Sequence, residues 1–166
     1  HGTFYSPRLG FSEREFVRDE DGKVFLEVRY DVFPAGSLVG IYLKTRNLDL
    51  SRFEALEFEF KRAPEEHFPD TFRIELKSNG SAVRPFVQRD FEPDWKKATL
   101  PFRATTPIKI TEVTFVFTHD TAGSDKRGSL QFRNFNLTPL VKPLGDRIEM
   151  KKVRSGQETA RVSANS

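Results

Sequence analysis

Short segments in which apolar and polar residues alternate constrain the fold of this chain more than any other feature. The clearest runs over residues 56–61, where Leu, Phe and Phe alternate with Glu, Glu and Lys. Residues 72–77 repeat the pattern after a polar loop that contains proline. Successive side chains of a strand point to opposite faces, so each segment predicts a half-buried β-strand.

The same pattern recurs along most of the chain and predicts an all-β fold. No segment shows a convincing long helical period; Ser51 is expected to cap no more than a single helical turn. Asn79-Gly80 is typical of the tight turn of a β-hairpin. Many short strands separated by turn signals indicate a two-sheet antiparallel β-sandwich of the jelly-roll kind. Further strands are predicted at residues 11–17, 23–32, 38–44, 83–88, 95–102, 110–118 and 130–137.

The pattern divides the chain into one folded domain and two flanking parts. Residues 1–10 are expected to form an irregular lead-in, and residues 11–140 the β-sandwich. Residues 141–166 are rich in charge, Ser, Gln and Asn, which predicts a flexible tail or linker because too little apolar surface is available to offset ordering. The start at His1-Gly2 suggests a processed chain or a piece of a longer protein.

Composition excludes several classes of function. Twenty-seven basic and 24 acidic residues give a net charge of +3 with both signs interspersed, so no nucleic-acid partner is expected. No apolar run is long enough to predict a membrane span. Aromatic content is mostly Phe (17, against three Tyr and one Trp), which favours core over binding platform. The three scattered His residues and the absence of Cys indicate no zinc site.

Motifs for catalysis are also missing, and the chain is predicted not to be an enzyme. Glu57 and Glu59 stand two residues apart on one strand, a spacing that a glycosidase carboxylate pair permits but that any half-exposed strand also produces. No nucleophile elbow, phosphate-binding loop, dinucleotide fingerprint or metalloprotease helix is present. His119-Asp120 opens a polar loop at the end of a predicted strand, a second place where ligand sites occur.

A resemblance to known folds rests on six pieces of the sequence, which are residues 48–60, 72–76, 94–95, 100–102, 110–117 and 128–137. Their order resembles the galactose-binding-like jelly rolls, and within them the family 11 type of carbohydrate-binding module and the complex I intermediate-associated protein group. Asn134 stands where members of this fold often have an acidic residue, so a structural calcium ion is compatible with the sequence but is not indicated by it, and no other cofactor is expected.

The resemblance implies a ligand groove across the open face of one sheet, floored by residues 72–77 and 83–88. If Phe72, Ile74 and Leu76 point into the core, the three residues that alternate with them, Arg73, Glu75 and Lys77, must point outward. Tyr42 opposes the apolar face of its own strand and is a candidate stacking ring, whereas Trp95 is expected to anchor a strand at the sandwich rim. The candidate carbohydrate-binding residues are Tyr42, Arg73, Glu75, Lys77, Arg84, Phe86 and Gln88.

The favoured hypothesis is a non-catalytic carbohydrate-binding module that recognises a polysaccharide or oligosaccharide on that face. The alternatives are a protein-interaction or assembly domain of the same fold that docks a partner chain, and a spacer or sensory ectodomain of an envelope protein. The resemblance implies an extracellular or periplasmic setting in a bacterial envelope.

Overall fold

The computed structural model describes residues 1–6, 10–64, 67–104 and 106–141, apart from the side chains of Tyr5, Ser6 and Arg84. Within these ranges the chain forms ten β-strands and two 3-10 turns, Leu50–Arg52 and His119–Thr121. The strands are β1 (Gly2–Ser6), β2 (Phe11–Arg18), β3 (Val24–Asp31), β4 (Leu38–Asp49), β5 (Phe53–Arg62), β6 (Phe72–Ser78), β7 (Ser81–Gln88), β8 (Lys96–Pro101), β9 (Lys109–Thr118) and β10 (Arg127–Pro139).

The strands form two five-stranded antiparallel sheets, which confirms the predicted β-sandwich. Sheet A has the order β1-β4-β9-β6-β7, and sheet B has the order β2-β3-β10-β5-β8. Among the described strands, only β2–β3 and β6–β7 are hairpins between consecutive strands; the other pairings join strands that are not consecutive in the chain. Asn79 and Gly80 both have positive φ, 48° and 84°, which confirms the tight turn predicted between β6 and β7.

The core lies between the sheets and is largely aromatic. Eight of the seventeen Phe side chains are buried there, while five others are exposed. Phe53 and Phe86 are partly buried and pack against this core, so most of the Phe residues belong to it, as expected. The largest fully buried rings come from both sheets and pack against one another, so the two layers share one apolar interior.

Two local expectations need correction. Residues 1–10 were expected to be irregular, but Gly2–Ser6 form β1, which pairs with the edge of β4; five residues are too few for alternation to stand out. Asp49, not Ser51, caps the first 3-10 turn, since its Oδ1 accepts from the Ser51 N–H at 3.0 Å. The tail predicted over residues 141–166 lies, beyond Val141, outside the described residues. In the described ranges no helix has the length and hydropathy to cross a bilayer.

Candidate functional site

The face of sheet A that points away from the core carries the candidate site. On β6, Phe72 and Ile74 are buried at no more than 1% exposure, whereas the alternating Arg73, Glu75 and Lys77 are only partly buried. This confirms the predicted orientation of the strand. We call this outward surface the outer face of sheet A.

Strand register extends the outer face across the three central strands. Glu75 of β6 pairs with Thr114 of β9, which pairs with Tyr42 of β4. Directly paired residues of an antiparallel ladder lie on the same face, so these side chains stand side by side. One step along, Lys77 pairs with Glu112 and Glu112 with Lys44.

Five charged side chains on this face form a continuous row of alternating sign. Arg73 Nε lies 2.6 Å from Glu75 Oε1, and Lys77 Nζ lies 3.6 Å from Glu75 Oε2. Lys77 Nζ also lies 3.9 Å from Glu112 Oε1, while Lys44 Nζ lies 3.3 Å from Glu112 Oε2. The Glu75 and Glu112 side chains are only 15% and 20% exposed, so their carboxylates are held more firmly than those of free surface pairs. Three cations and two anions leave this row with a net charge of +1.

Two aromatic rings accompany the charged row. Lys44 Nζ lies 5.5 Å from the centroid of Tyr42, and Lys77 Nζ lies 5.8 Å from that of Phe4. Two glycines make room for these rings: a Cβ at Gly2 would lie 2.3 Å from the Tyr42 hydroxyl oxygen, and one at Gly40 would lie 2.9 Å from Phe4 Cζ. The Tyr42 ring therefore lies over Gly2 of β1, and the Phe4 ring lies over Gly40 of β4.

Two of the predicted site residues, Phe86 and Gln88, do not lie on the outer face of sheet A, contrary to expectation. Phe86 pairs with the core residue Ile74, is half-buried and packs against the core, so it lies on the opposite face from Glu75. Gln88 pairs with buried Phe72 and lies on that same inward side. The backbone of Arg84 pairs with Leu76, and its side chain is outside the described part.

The cause is a single β-bulge in the β6–β7 hairpin. Ser78 pairs with Ser81 and Lys77 with Ala82, but Leu76 then pairs with Arg84, so that Val83 is the extra residue. A one-residue shift of register moves every following side chain to the other face. Sequence reasoning brought Tyr42, Arg73, Glu75 and Lys77 together correctly but missed Phe4, Lys44, Glu112 and Thr114, which join them only through long-range strand pairing.

The outer face of sheet B holds the tryptophan. Arg133 Cζ lies 4.1 Å from the Trp95 ring centroid and Lys61 Nζ lies 4.9 Å from it, so both cations pack on this ring. Phe25 meets the ring edge-on at 6.0 Å. These contacts support the expected anchoring role of Trp95 and leave less of its ring for a ligand.

The two carboxylates considered as a hydrolytic pair are each engaged by a cation on this face. Glu57 Oε1 lies 3.0 Å from Lys97 Nζ, and Glu59 Oε2 lies 2.9 Å from Arg133 Nε. Asn134 also donates to Glu59 from a left-handed backbone position with φ 56°. The pair thus lies in a salt-bridged sheet surface.

Glu59 gives a testable pH dependence. The hydrogen bond from Arg133 holds the pKa of the Glu59 carboxyl below its ordinary value. A depressed folded-state pKa means that the ionised group stabilises the fold above the unfolded pKa, about 4.3, and that this contribution is lost as pH falls through the lower folded value. We expect Glu59→Gln to have a shallower loss of stability than the wild type below about pH 5.

Urea unfolding at several pH values between about 3 and 7 measures this difference. Glu54→Gln, at an exposed carboxylate on the same strand, controls for the loss of one negative charge. Parallel stability curves for Glu59→Gln and wild type would contradict the assignment.

The loop that opens with His119-Asp120 serves a structural purpose. The His119 ring donates from Nδ1 to the Val32 carbonyl oxygen at 2.9 Å, and Lys126 Nζ donates to the His119 carbonyl oxygen at 2.8 Å. The first bond ties the loop to the residue that follows β3, and the second closes the loop on itself. Across the described ranges, no group of three or more His, Cys, Asp or Glu residues is placed to hold a metal ion.

The fold is shared with known carbohydrate-binding modules. The family 11 module of the cellulosomal cellulase Lic26A-Cel5E of Clostridium thermocellum superposes with a TM-score of 0.58 at 18% identity, covering 86% of this chain and 89% of that one. A second structure of the Clostridium thermocellum family 11 module, in complex with a β-1,3-1,4-mixed-linked tetrasaccharide, gives the same score and identity over 86% and 90% of the two chains.

A structure described as a carbohydrate-binding module of the β-sandwich superfamily with promiscuous specificity matches with a TM-score of 0.53 at 10% identity, over 81% of this chain and 55% of that one. No protein-family model matches the sequence, and no curated protein matches it either. The likeness is therefore one of three-dimensional structure. This chain has the two-sheet antiparallel β-sandwich fold of the family 11 carbohydrate-binding modules.

Proposed function

We propose that this chain is a non-catalytic carbohydrate-binding module whose ligand lies on the outer face of sheet A. The observation that carries the proposal is the charged row from Arg73 to Lys44 with the Phe4 and Tyr42 rings beside it. Carboxylates accept hydrogen bonds from sugar hydroxyls, and guanidinium and ammonium groups donate to them. Aromatic rings offer flat apolar surface to the faces of sugar rings. The shared fold with family 11 modules supports the proposal.

The geometry favours a polymer over a single sugar. The row follows β6 from Arg73 to Lys77 and then crosses β9 to Lys44 of β4, so an extended ligand that lies along it meets several polar groups in succession. An open face encloses little of its ligand, so each sugar contributes weakly and affinity depends on how many are engaged. With a net charge of +1, the row suits neutral polysaccharides and those that carry carboxylates.

The test is retardation of the protein in native gels that contain soluble neutral or acidic polysaccharides, with and without calcium. We expect at least one polymer class to retard the wild type. In the double variant Tyr42→Ala/Glu75→Gln we expect an affinity lower by about tenfold or more, since charged hydrogen bonds contribute roughly 1.5–3 kcal/mol each.

Glu57→Gln is the matched control, because it removes a lysine-paired carboxylate from the outer face of sheet B. It should bind as the wild type does, and all variants should melt within a few degrees of it. Undiminished retardation of the folded double variant would refute this placement of the site. No retardation of the folded wild type by any polymer would refute the carbohydrate function and favour a protein-docking role.

A further inference from the structure

An apolar pocket of about 270 Å³ lies between the two sheets at one end of the sandwich. Leu43, Leu76 and Val113 form part of its wall in sheet A, and Leu56, Phe135 and Leu137 part of its wall in sheet B. Nine of the eleven lining residues are apolar, Thr45 and Asn136 are polar, and none is charged. The pocket lies between the two sheets, on the core side of sheet A, and so is separate from the outer face of sheet A.

Two β-bulges accompany this pocket. In β4 the pairing jumps from Lys44–Glu112 to Leu48–Ile110, and in β10 it jumps from Arg133–Glu59 to Asn136–Glu57. Each bulge contains a residue in the left-handed region, Asn47 with φ 49° and Asn134 with φ 56°. Bulges bend their strands and increase the local twist, and they are frequent beside functional sites.

Phe135 shows that the space is open to solvent. Its ring stacks on Phe58 at 5.5 Å and meets Phe115 edge-on at 5.9 Å, so it points into the interior. Both partners are buried, yet Phe135 itself is 38% exposed. An inward-pointing ring exposed to that degree borders a space that the protein's own described side chains leave unfilled. Exposed apolar surface in a concavity is unfavourable in water and favours occupation by an apolar group.

We propose that this pocket binds a small uncharged hydrophobic molecule with one ring or two fused rings. The absence of charge in the lining favours an uncharged ligand, because an ion there would lose hydration without a partner. A cavity of roughly 150 Å³ lined by Leu, Ile and Phe suffices for benzene, so a pocket of about 270 Å³ has room for a second ring. A hydroxyl group of the ligand would lie toward Thr45 Oγ1, which can accept a hydrogen bond while it donates its own hydrogen to the Ile110 carbonyl oxygen at 2.6 Å.

The probe is naphthalene, followed by the methyl resonances of leucine and valine in a ¹³C-labelled sample of the chain. We expect the methyl signals of Leu43, Val113 and Leu137 to shift in a saturable way, while those of Val39 at the other end of the core stay in place. Val113→Phe, which places a ring inside the pocket, should weaken naphthalene binding about tenfold or more. Leu137→Trp, at a half-buried wall position, provides a second filling variant should Val113→Phe fail to fold.

Tyr42→Ala separates this site from the outer face of sheet A and should bind naphthalene as the wild type does. Three results would overturn the proposal: no shift of the pocket methyls up to the solubility limit, shifts spread evenly over the core, or unchanged affinity in a folded filling variant.

Discussion

Replacing Phe72 with alanine is expected to lower the free energy of unfolding by about 3–5 kcal/mol, because the site cannot collapse around the missing ring. Phe72 is 1% exposed, and its centroid lies within 6.2 Å of five other Phe rings. They come from both sheets and from the loop before β8, so the ring joins the two layers. These partners are Phe60, Phe91, Phe115, Phe117 and Phe132.

That loss is a large fraction of the roughly 5–15 kcal/mol that holds a typical domain folded. Urea unfolding monitored by circular dichroism measures it, and a fall in melting temperature on the order of 10–20 °C should accompany it. Phe33→Ala is the control: the same truncation at a ring that is 64% exposed should change stability by less than about 0.5 kcal/mol. A cost below about 1 kcal/mol for Phe72→Ala would contradict the central position given to this ring.

The strands and the core were predictable because alternation is a local signal. On β6, Phe72, Ile74 and Leu76 had to face one side together, since the side-chain period of a strand is two. The structure confirms this. The same logic predicted all nine strands from β2 to β10, but it missed Gly2–Ser6, whose strand state depends on pairing with the edge of β4.

The candidate site was only half predictable because it depends on register between strands. The tight turn at Asn79-Gly80 by itself would place Phe86 opposite Arg73, which is the arrangement that the sequence suggested. The bulge at Val83 reverses the faces and turns Phe86 toward the core. The local sequence of β7 gives only a general signal: Pro85 indicates an edge strand or a bulge, but it does not show that Val83 is the extra residue.

Other members of the site were hidden for a different reason. Glu112 joins Lys77 only because β6 and β9 pair, although the two residues are far apart in sequence. Phe4 reaches the outer face from a strand that the sequence did not predict. Gly2 and Gly40 leave the space that the aromatic rings occupy, and a glycine in a strand does signal a close approach of other groups. Which groups approach such a glycine becomes clear only once the pairing of the strands is known.

Gly40→Ala is the second substitution for which a large effect is expected, and it tests that close approach directly. A Cβ at this position would lie 1.8 Å from the carbonyl oxygen of Phe115 on the neighbouring strand β9 and 2.9 Å from Phe4 Cζ. The first contact is with backbone, so the side chain can be accommodated only if β4 and β9 separate locally. Overpacking typically costs about 1–3 kcal/mol and occasionally more, and the clash with backbone places this variant at the upper end of that range.

Equilibrium unfolding in urea again measures the change, and Gly22→Ala is the matched control. Gly22 has φ 76° and no neighbouring atom within 4 Å of an added Cβ, so alanine there meets backbone strain without a clash. Left-handed backbone costs a non-glycine residue roughly 1–2 kcal/mol. If the clash with β9 decides the effect, Gly40→Ala is the more destabilising variant, although the Gly40 backbone is not in the left-handed region. Equal stability of the two variants would show that β4 and β9 have more freedom here than the short Cβ distance implies.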